Sequence, residues 1–530
     1  MSLTHFLIIC SPFFGHVRPI FAFTMNLLVM YPELHITYVT TGTSTSGLSP
    51  SFEQEMTLYG LQDEPRSRLH LELLGEGKKD SLVEQMVSLF ALIPAFLEEL
   101  FTPGTQQSTF KQVPSLSIID ILALPSVDLL DKIYFSKCNT LHKIPALCYS
   151  PTNAATLNLY WLRKEEYPET FWRPIYSQAE KEVETGIYEN LTVDHVAYKI
   201  WCRASNIDAK TVSLPPMHHH ELNPQTDSLD TSESSVVVSQ AQLAISITNR
   251  MDRLNGFIIH TTPIMEPGEA EEMQHISPMH LFYHIGPQYP ETWWTDGIPT
   301  EVQVLSTEDR KVVSFLDDML DRYGENSVVY ISFGTTFLPS NAPHLFDALL
   351  KTLLGAEPPL PFLFAGAINN KLLTADHREA IQKSGHGLLA GFVPQQAVLK
   401  HNATGWYLCH AGSNSVSEAF LNEVPMILWP YTMDQPLIAN QLSVRLKLAY
   451  ELVQVRNGES IGRPTHRGSI VEGTQEAIEE EMREIWKLMR GKDGAEMRQR
   501  VIAFSKAMKI DHWQGAARKA MEGFATFLTE

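Results

Sequence analysis

Short apolar runs bounded by turn residues recur along this chain, with helically spaced stretches between them. "HFLIICS" (5–11), "LHITYVT" (34–40), "SLSIIDI" (115–121) and "IPALCYS" (144–150) have the length and content of buried strands. "DSLVEQMVSLFALIPAFLEELF" (80–101) repeats its apolar positions at helical spacing despite Pro94. Strand, helix and strand in succession predict a parallel sheet with right-handed crossovers. A second set follows: "NSVVYISFG" (326–334), "PFLFAG" (361–366), "HGLLAGF" (386–392), "GWYLCH" (405–410) and "VPMILWP" (424–430), separated by helical segments such as 341–354 and 413–422. The pattern predicts α/β architecture with two doubly wound, Rossmann-like domains, over 1–265 and 301–505. The proline- and acid-rich stretch 260–294 reads as a connection, with the linker set at 266–300. The closing stretch 497–528 reads as helical. Residues 200–240, with "PPMHHHELNPQTDSLDTSESS", are the least regular part and read as an exposed loop.

Length supports two domains, since 530 residues exceed what one core organises. The net charge of −20, from 41 basic and 61 acidic side chains, argues against nucleic acid or an anionic membrane as main partner. The five cysteines (Cys10, Cys138, Cys148, Cys202 and Cys409) are scattered and odd in number, which suggests a reducing, cytoplasmic setting. The apolar start lacks a basic leader, and Gly15, His16 and Arg18 interrupt it, so it reads as strand, loop and helix start. No apolar run reaches about 18 residues, and no membrane span is expected. The sequons at Asn190 and Asn402 are then chance matches.

The chemistry-bearing motifs exclude several classes first. There is no P-loop, no G-x-G-x-x-G after the first strand and no D-x-D. His218, His219 and His220 lack the second His of H-E-x-x-H. No metal and no cofactor are expected. "CHAGSNSVSEAFLNEVPMILWPYTMDQ" (409–435) is more telling. A strand ending near His410 meets a helix starting near Ser413. The free N–H groups and positive end of that helix make an anion site. Ala411, Gly412 and Ser413 are small enough for a diphosphate to approach the backbone, and Asn414 and Ser415 add donors. Glu418, one turn on, can accept from a ribose diol. Asp434 and Gln435 follow the next strand, at the carboxyl end where open sheets bind ligands. Each residue alone reads as a cap or turn residue; their order along one chain does not.

Residues 392–435 resemble the nucleotide-sugar signature of the family 1 UDP-glycosyltransferases, which have the GT-B fold. "FVPQQAVLKH", "CHAGSNSVSEA" and "VPMILWPYTMDQ" match its start, centre and end, in a fungal-type variant. Weaker likeness covers "SPFFGHVRP" (11–19), "GFIIHTTPIMEP" (256–267), "FYHIGP" (282–287) and "SVVYISFGTT" (327–336). The resemblance implies that Phe392 stacks on uracil and that Val393 meets the base edge through its backbone. Gln395 and Glu418 would hold the ribose. His410, Ser413, Asn414 and Ser415 would hold the diphosphate, with Thr335 reaching it, and Asp434 and Gln435 the sugar. Segment 506–530 would cross back to the first domain. Glu423 stands where the family has Gly before "VP", so a different turn is expected there.

His16 follows the first strand at a helix start. It matches the family's general base, and Asp120 its partner carboxylate, as in a Ser-His-Asp arrangement with the acceptor hydroxyl in place of Ser. The implied reaction is one inverting displacement that carries glucose or xylose from a UDP-sugar to a hydrophobic small molecule. A terpenoid, sterol or phenolic acceptor would rest on Phe13, Phe14, Met86 and Phe90. At helical spacing, Met86 and Phe90 also suit plain core. A monomer is expected. Two rivals remain: another GT-B enzyme such as a UDP-sugar epimerase or hydrolase, and a non-catalytic nucleotide-sugar or lipid-binding protein. The His16–Asp120 pair and the terminal Asp434–Gln435 argue against the first, and the intact His16, Asp120 and Glu418 against the second.

Overall fold

The computed structural model describes residues 4–41, 67–75, 82–102, 112–162, 172–188, 190–202, 208–225, 235–295, 306–334, 342–366 and 373–528, with Met56 and Tyr59. Two parallel sheets organise these residues. The first contains β1 (Thr4–Ile9), β2 (Leu34–Thr41), β3 (Leu69–Leu74), β4 (Leu116–Asp120) and β5 (Ala146–Ser150). It ends with β8 (Gly256–Ile259) and β9 (Leu281–His284), in the order β3-β2-β1-β4-β5-β8-β9. The second contains β10 (Val328–Ser332), β11 (Phe362–Ala365), β12 (Gly387–Ala390), β13 (Thr404–Cys409), β14 (Met426–Leu428) and β15 (Ala449–Glu451), in the order β12-β11-β10-β13-β14-β15. A short antiparallel pair, β6 (Asp208–Ala209) and β7 (Met217–His218), lies outside both. The helices used below are α1 (Phe14–Met30), α2 (Leu82–Leu100), α3 (Ser413–Leu421), α4 (Asp434–Asn440), α5 (Lys492–Gln514) and α6 (Ala516–Glu522).

Each sheet is covered on both faces, which is why its central strands read as unbroken apolar runs. On β1, Leu7 and Ile9 enter one core while Phe6 and Ile8 enter the other. On β10, Val328 and Tyr330 divide in the same way from Val329 and Ile331. α2 continues through Pro94, with Leu89, Ile93, Phe96 and Leu97 on the first core. After α5 the chain returns to the first domain. Met521 and Phe524 are buried among its side chains, and the Phe524 ring lies 4.7 Å from that of Tyr283. Among the described residues, no helix is long and apolar enough to cross a membrane.

The strand order reverses beside β1 in the first sheet and beside β10 in the second. Doubly wound sheets open a crevice outside the carboxyl ends of the strands at such points. His16 and Asp120 follow β1 and end β4; Gly334 and His410 follow β10 and β13.

Two expectations are corrected. The stretch 260–294 is not a bare connection, because it includes a helix at Glu269–Ile276 and the edge strand β9. Nor is 208–225 an exposed loop. Ser213, Leu214, Met217, His219, His220, Glu221, Asn223 and Gln225 are all buried. The segment is a strap on the second domain: Gln225 Nε2 donates to Val455 O at 2.8 Å, and Asn457 N donates to Pro224 O at 2.9 Å. Its polar residues mimic a loop pattern because their partners are polar groups of the other domain. Of the rest of 200–240, residues 200–202 end the helix Val193–Cys202, 235–240 begin another, and the remainder lies outside the described residues. Among the described residues no metal-binding cluster forms.

The turn at Glu423 keeps the left-handed geometry, with φ of 61°. Its carboxylate lies 3.7 Å from Lys509 Nζ at the surface. Glu423→Gly is therefore expected to stabilise the protein by about 1 kcal/mol, because the backbone strain exceeds a surface ion pair's contribution. A urea midpoint at or below that of wild type would contradict this.

Candidate active site

β4 ends on Asp120, which is fully buried. One carboxylate oxygen accepts from Ser11 N at 3.0 Å, just after β1. The other lies 2.7 Å from His16 Nδ1, on the first turn of α1. A carboxylate only accepts, so in the neutral ring Nδ1 carries the proton and Nε2 is the acceptor. The ring is partly exposed, and Phe13 lies 6.0 Å away between centroids. Here two neighbouring strands of one sheet set the geometry of a pair 104 residues apart.

The second domain supplies a polar cluster at the start of α3. Gly412 is its N-cap. A Cβ on Gly334 would stand 2.8 Å from the His410 ring, and one on Gly412 would also collide with it, so both glycines make room for that ring. Burial pushes the His410 imidazole down to about 4. His410 Nδ1 and Ser413 Oγ are buried without a hydrogen-bond partner among the described residues. Orphaned polar atoms at a helix start fit a ligand rich in acceptor and donor oxygens. Ser415 Oγ lies 3.2 Å from the Tyr407 hydroxyl. Asn414 Nδ2 donates across the cleft to Gly15 O at 2.8 Å.

Gln395 opens the short helix Gln395–Lys400. Tyr330 donates to its Oε1 at 3.0 Å, which turns its amide nitrogen to Glu418 Oε2 at 2.9 Å. Glu418 is nearly fully buried, and its Oε1 accepts from Arg18 Nη1 of the first domain at 2.9 Å. Val393 is buried, whereas Phe392 is 52% exposed and meets Phe14 edge-on at 5.9 Å. Phe14, expected on the acceptor side, thus faces the second domain. Met86 and Phe90 pack half-buried on the first domain's core. Thr335 lies outside the described residues.

Asp434 starts α4 after Met433, whose φ is 59°. Burial pushes the Asp434 carboxyl up to about 6, opposed by its own backbone N–H, by Thr152 and by nearby His16. Gln435 Oε1 accepts from Tyr431 N at 3.0 Å. Asp434 of the second domain thus lies within electrostatic reach of His16 of the first. A carboxyl with a raised pKa lowers stability progressively as pH rises through about 4 to 6, since the folded form then holds the proton that the unfolded chain has lost. Asp434→Asn is expected to stabilise the ligand-free protein at pH 8 by about 2 kcal/mol, with the difference gone below about pH 4. Thermal unfolding at both pH values checks this, and an equal effect at both refutes it.

Sequence reasoning had quoted Arg18 within "FFGHVRP" without giving it a role. It also passed over Tyr330, Tyr407, Thr152 and His260. Tyr330 and Tyr407 sit on apolar strands and read as core; their hydroxyls nonetheless orient Gln395. His260 is fully buried at the end of β8, with Tyr149 Oη 3.0 Å from its Nδ1. Burial lowers it to about 3.

Two facing doubly wound domains, with the His16–Asp120 pair on one and a helix start with unpartnered polar atoms on the other, define the GT-B class of fold. The family model for UDP-glucoronosyl and UDP-glucosyl transferase matches residues 305–458, which lie mostly in the second domain. A UDP-glycosyltransferase from Hericium erinaceus, eriJ, is 35% identical over 173 residues, covering 33% of this chain and 34% of that one. UDP-glycosyltransferase 85A1 from Arabidopsis thaliana is 27% identical over 297 residues, covering 55% and 53%. The matches thus span about a third to a half of these relatives' length. The structure of UGT71G1 from Medicago truncatula, complexed with UDP-glucose, aligns over 99% of this chain and 98% of that one, with TM-score 0.65 and 18% identity. That of a transferase from Siraitia grosvenorii in complex with UDP aligns over 99% and 100%, with TM-score 0.63 and 17% identity. These structures share the fold.

Proposed function

We propose that this protein is an inverting glycosyltransferase that moves a sugar, glucose or xylose, from a UDP-sugar to a hydroxyl of a hydrophobic small molecule. The observation that carries the reading is the His16–Asp120 pair, 2.7 Å apart, at the carboxyl ends of two neighbouring strands. His16 Nε2 takes the proton of the acceptor hydroxyl. The acceptor oxygen bonds to the anomeric carbon as the bond from that carbon to the diphosphate oxygen breaks. UDP leaves with the bonding electrons, and the α-linked donor yields a β-glycoside. The N–H groups at the start of α3, together with His410, Ser413, Asn414 and Ser415, stabilise the leaving diphosphate without a metal. Glu418 and Gln395 take the ribose, Phe392 and Val393 the base, and Asp434 and Gln435 the sugar.

The acceptor side is apolar. Phe13 flanks His16, and Tyr160 and Trp161 are buried in the turn Asn158–Leu162 near α4. This suits a terpenoid, sterol or phenolic. All five cysteines are free, in keeping with a reducing, cytoplasmic setting. Both halves of the site belong to one chain, so a monomer suffices.

UDP release would be measured with several UDP-sugars against hydrophobic alcohols and phenols, with the product mass showing hexose or pentose. The expected result is UDP release that depends on acceptor and gives a glycoside. UDP release without a glycoside would favour an epimerase or hydrolase, and nucleotide binding without turnover a binding protein.

A further inference from the structure

We propose that Arg18 is the first domain's contribution to the nucleotide subsite. It is a positioning residue that holds the Glu418 carboxylate for a ribose diol and couples occupancy of that subsite to closure of the cleft. The inference rests on the donor reading above and extends it to a residue of the opposite domain.

Glu418 lies one turn into α3, with 2% of its side chain exposed. Gln395 Nε2 bonds one of its oxygens and Arg18 Nη1 the other, each at 2.9 Å. Each carboxylate oxygen has two lone-pair sites. Among the described residues one partner holds each oxygen, which leaves a second site on each, a pair spaced for two adjacent hydroxyls. The carboxylate is pinned from both sides. Tyr330 fixes the Gln395 amide, and the Arg18 guanidinium stands 4.9 Å over the Trp293 ring, itself stacked 5.2 Å from Tyr289. Arg18, Asn414 and Glu418 line a small interdomain cavity together with Tyr289 and Trp293.

Arg18 follows His16 by two residues on α1, and Gly15 on the same turn accepts from Asn414. One rigid helix start thus carries the base, the contact to the diphosphate-binding Asn414 and the contact to Glu418. Separating the domains would leave Glu418 with Gln395 alone. The orientation of the carboxylate toward a ribose therefore depends on the cleft being closed, and the same closure brings His16 to the sugar.

The test measures binding of UDP and of 2′-deoxy-UDP by calorimetry to wild type, Arg18→Met and Arg18→Lys. In wild type the missing hydroxyl weakens binding about tenfold, the usual size for a hydrogen bond to a charged group. In Arg18→Met, UDP binds about tenfold more weakly, and the penalty for the missing hydroxyl shrinks to about twofold. Arg18→Lys keeps the charge without the planar fork and falls between them. An unchanged hydroxyl penalty in Arg18→Met would make Arg18 merely structural. Tighter UDP binding by that variant would make it a competitor of the nucleotide. Either result overturns the proposal. Failure of wild type to bind UDP overturns the donor reading itself and is a separate outcome.

Discussion

Replacing His16 with alanine is expected to lower kcat for glycosyl transfer by about 10²–10⁴-fold, while UDP affinity stays within about twofold. In the proposed mechanism the imidazole takes the acceptor proton, whereas the groups proposed to touch the nucleotide belong to the second domain, with Arg18 acting on them through Glu418. Asp120→Asn should cost nearly as much, for a tautomeric reason. Ser11 N–H needs an acceptor, so the new amide oxygen would face Ser11 and the amide nitrogen would face His16. That nitrogen donates, which forces Nδ1 to accept and puts the proton on Nε2, where the acceptor hydroxyl must lose its own. Steady-state rates with a fixed acceptor, alongside UDP titration, separate chemistry from binding. Full transfer activity in either variant would refute the proposed mechanism.

Arg456→Met is expected to destabilise the protein by about 3–5 kcal/mol, the largest stability change we predict for a single substitution. Arg456 has 1% of its side chain exposed and bridges Glu221 at 2.8 Å and Glu451 at 2.7 Å. Glu221 belongs to the strap from the first domain, and Glu451 to β15 of the second. Burial alone would raise both carboxyls. For Glu221 the charge of Arg456 outweighs burial; for Glu451 the charges of Arg467 and Arg456 do so, and both carboxyls are held below the usual range. The other Glu221 oxygen accepts from His218 N at 2.9 Å and His466 N at 2.8 Å. Without the guanidinium, the buried Glu221 would keep no cationic partner among the described residues, and Glu451 would keep only Arg467. Urea unfolding at pH 7 reads the loss, and Arg456→Lys should fall between the two. An unchanged midpoint would show that the network contributes little.

The strands at the centres of both sheets were legible because burial on both faces leaves an apolar run. The edge strand β3, "LHLELL", was not legible: four of its six residues are only partly buried and one is exposed, so no such run marks it. β9 escaped for the same reason, with three of its four residues not fully buried. The strap at 208–225 was misread because polar residues look alike in sequence whether water or another domain satisfies them. The signature at 392–435 was legible because its residues are adjacent in order. Phe14 was assigned by proximity in sequence to His16, yet α1 turns it toward Phe392.

By itself, the sequence determined that the chain forms two doubly wound α/β domains, and that one of them carries a helix start, His410 to Glu418, suited to a nucleotide diphosphate. Periodicity and short-range order suffice for this, because strands, crossovers and helix caps are built from neighbours. Only the tertiary structure decided which groups of the two domains meet. Arg18 reaches Glu418 across 400 residues, and Asp434 comes within electrostatic reach of His16. The strap residue Glu221 joins Arg456. Such pairings follow from how two separately folded sheets dock, and the apolar patterns that build each sheet carry no record of the register between them.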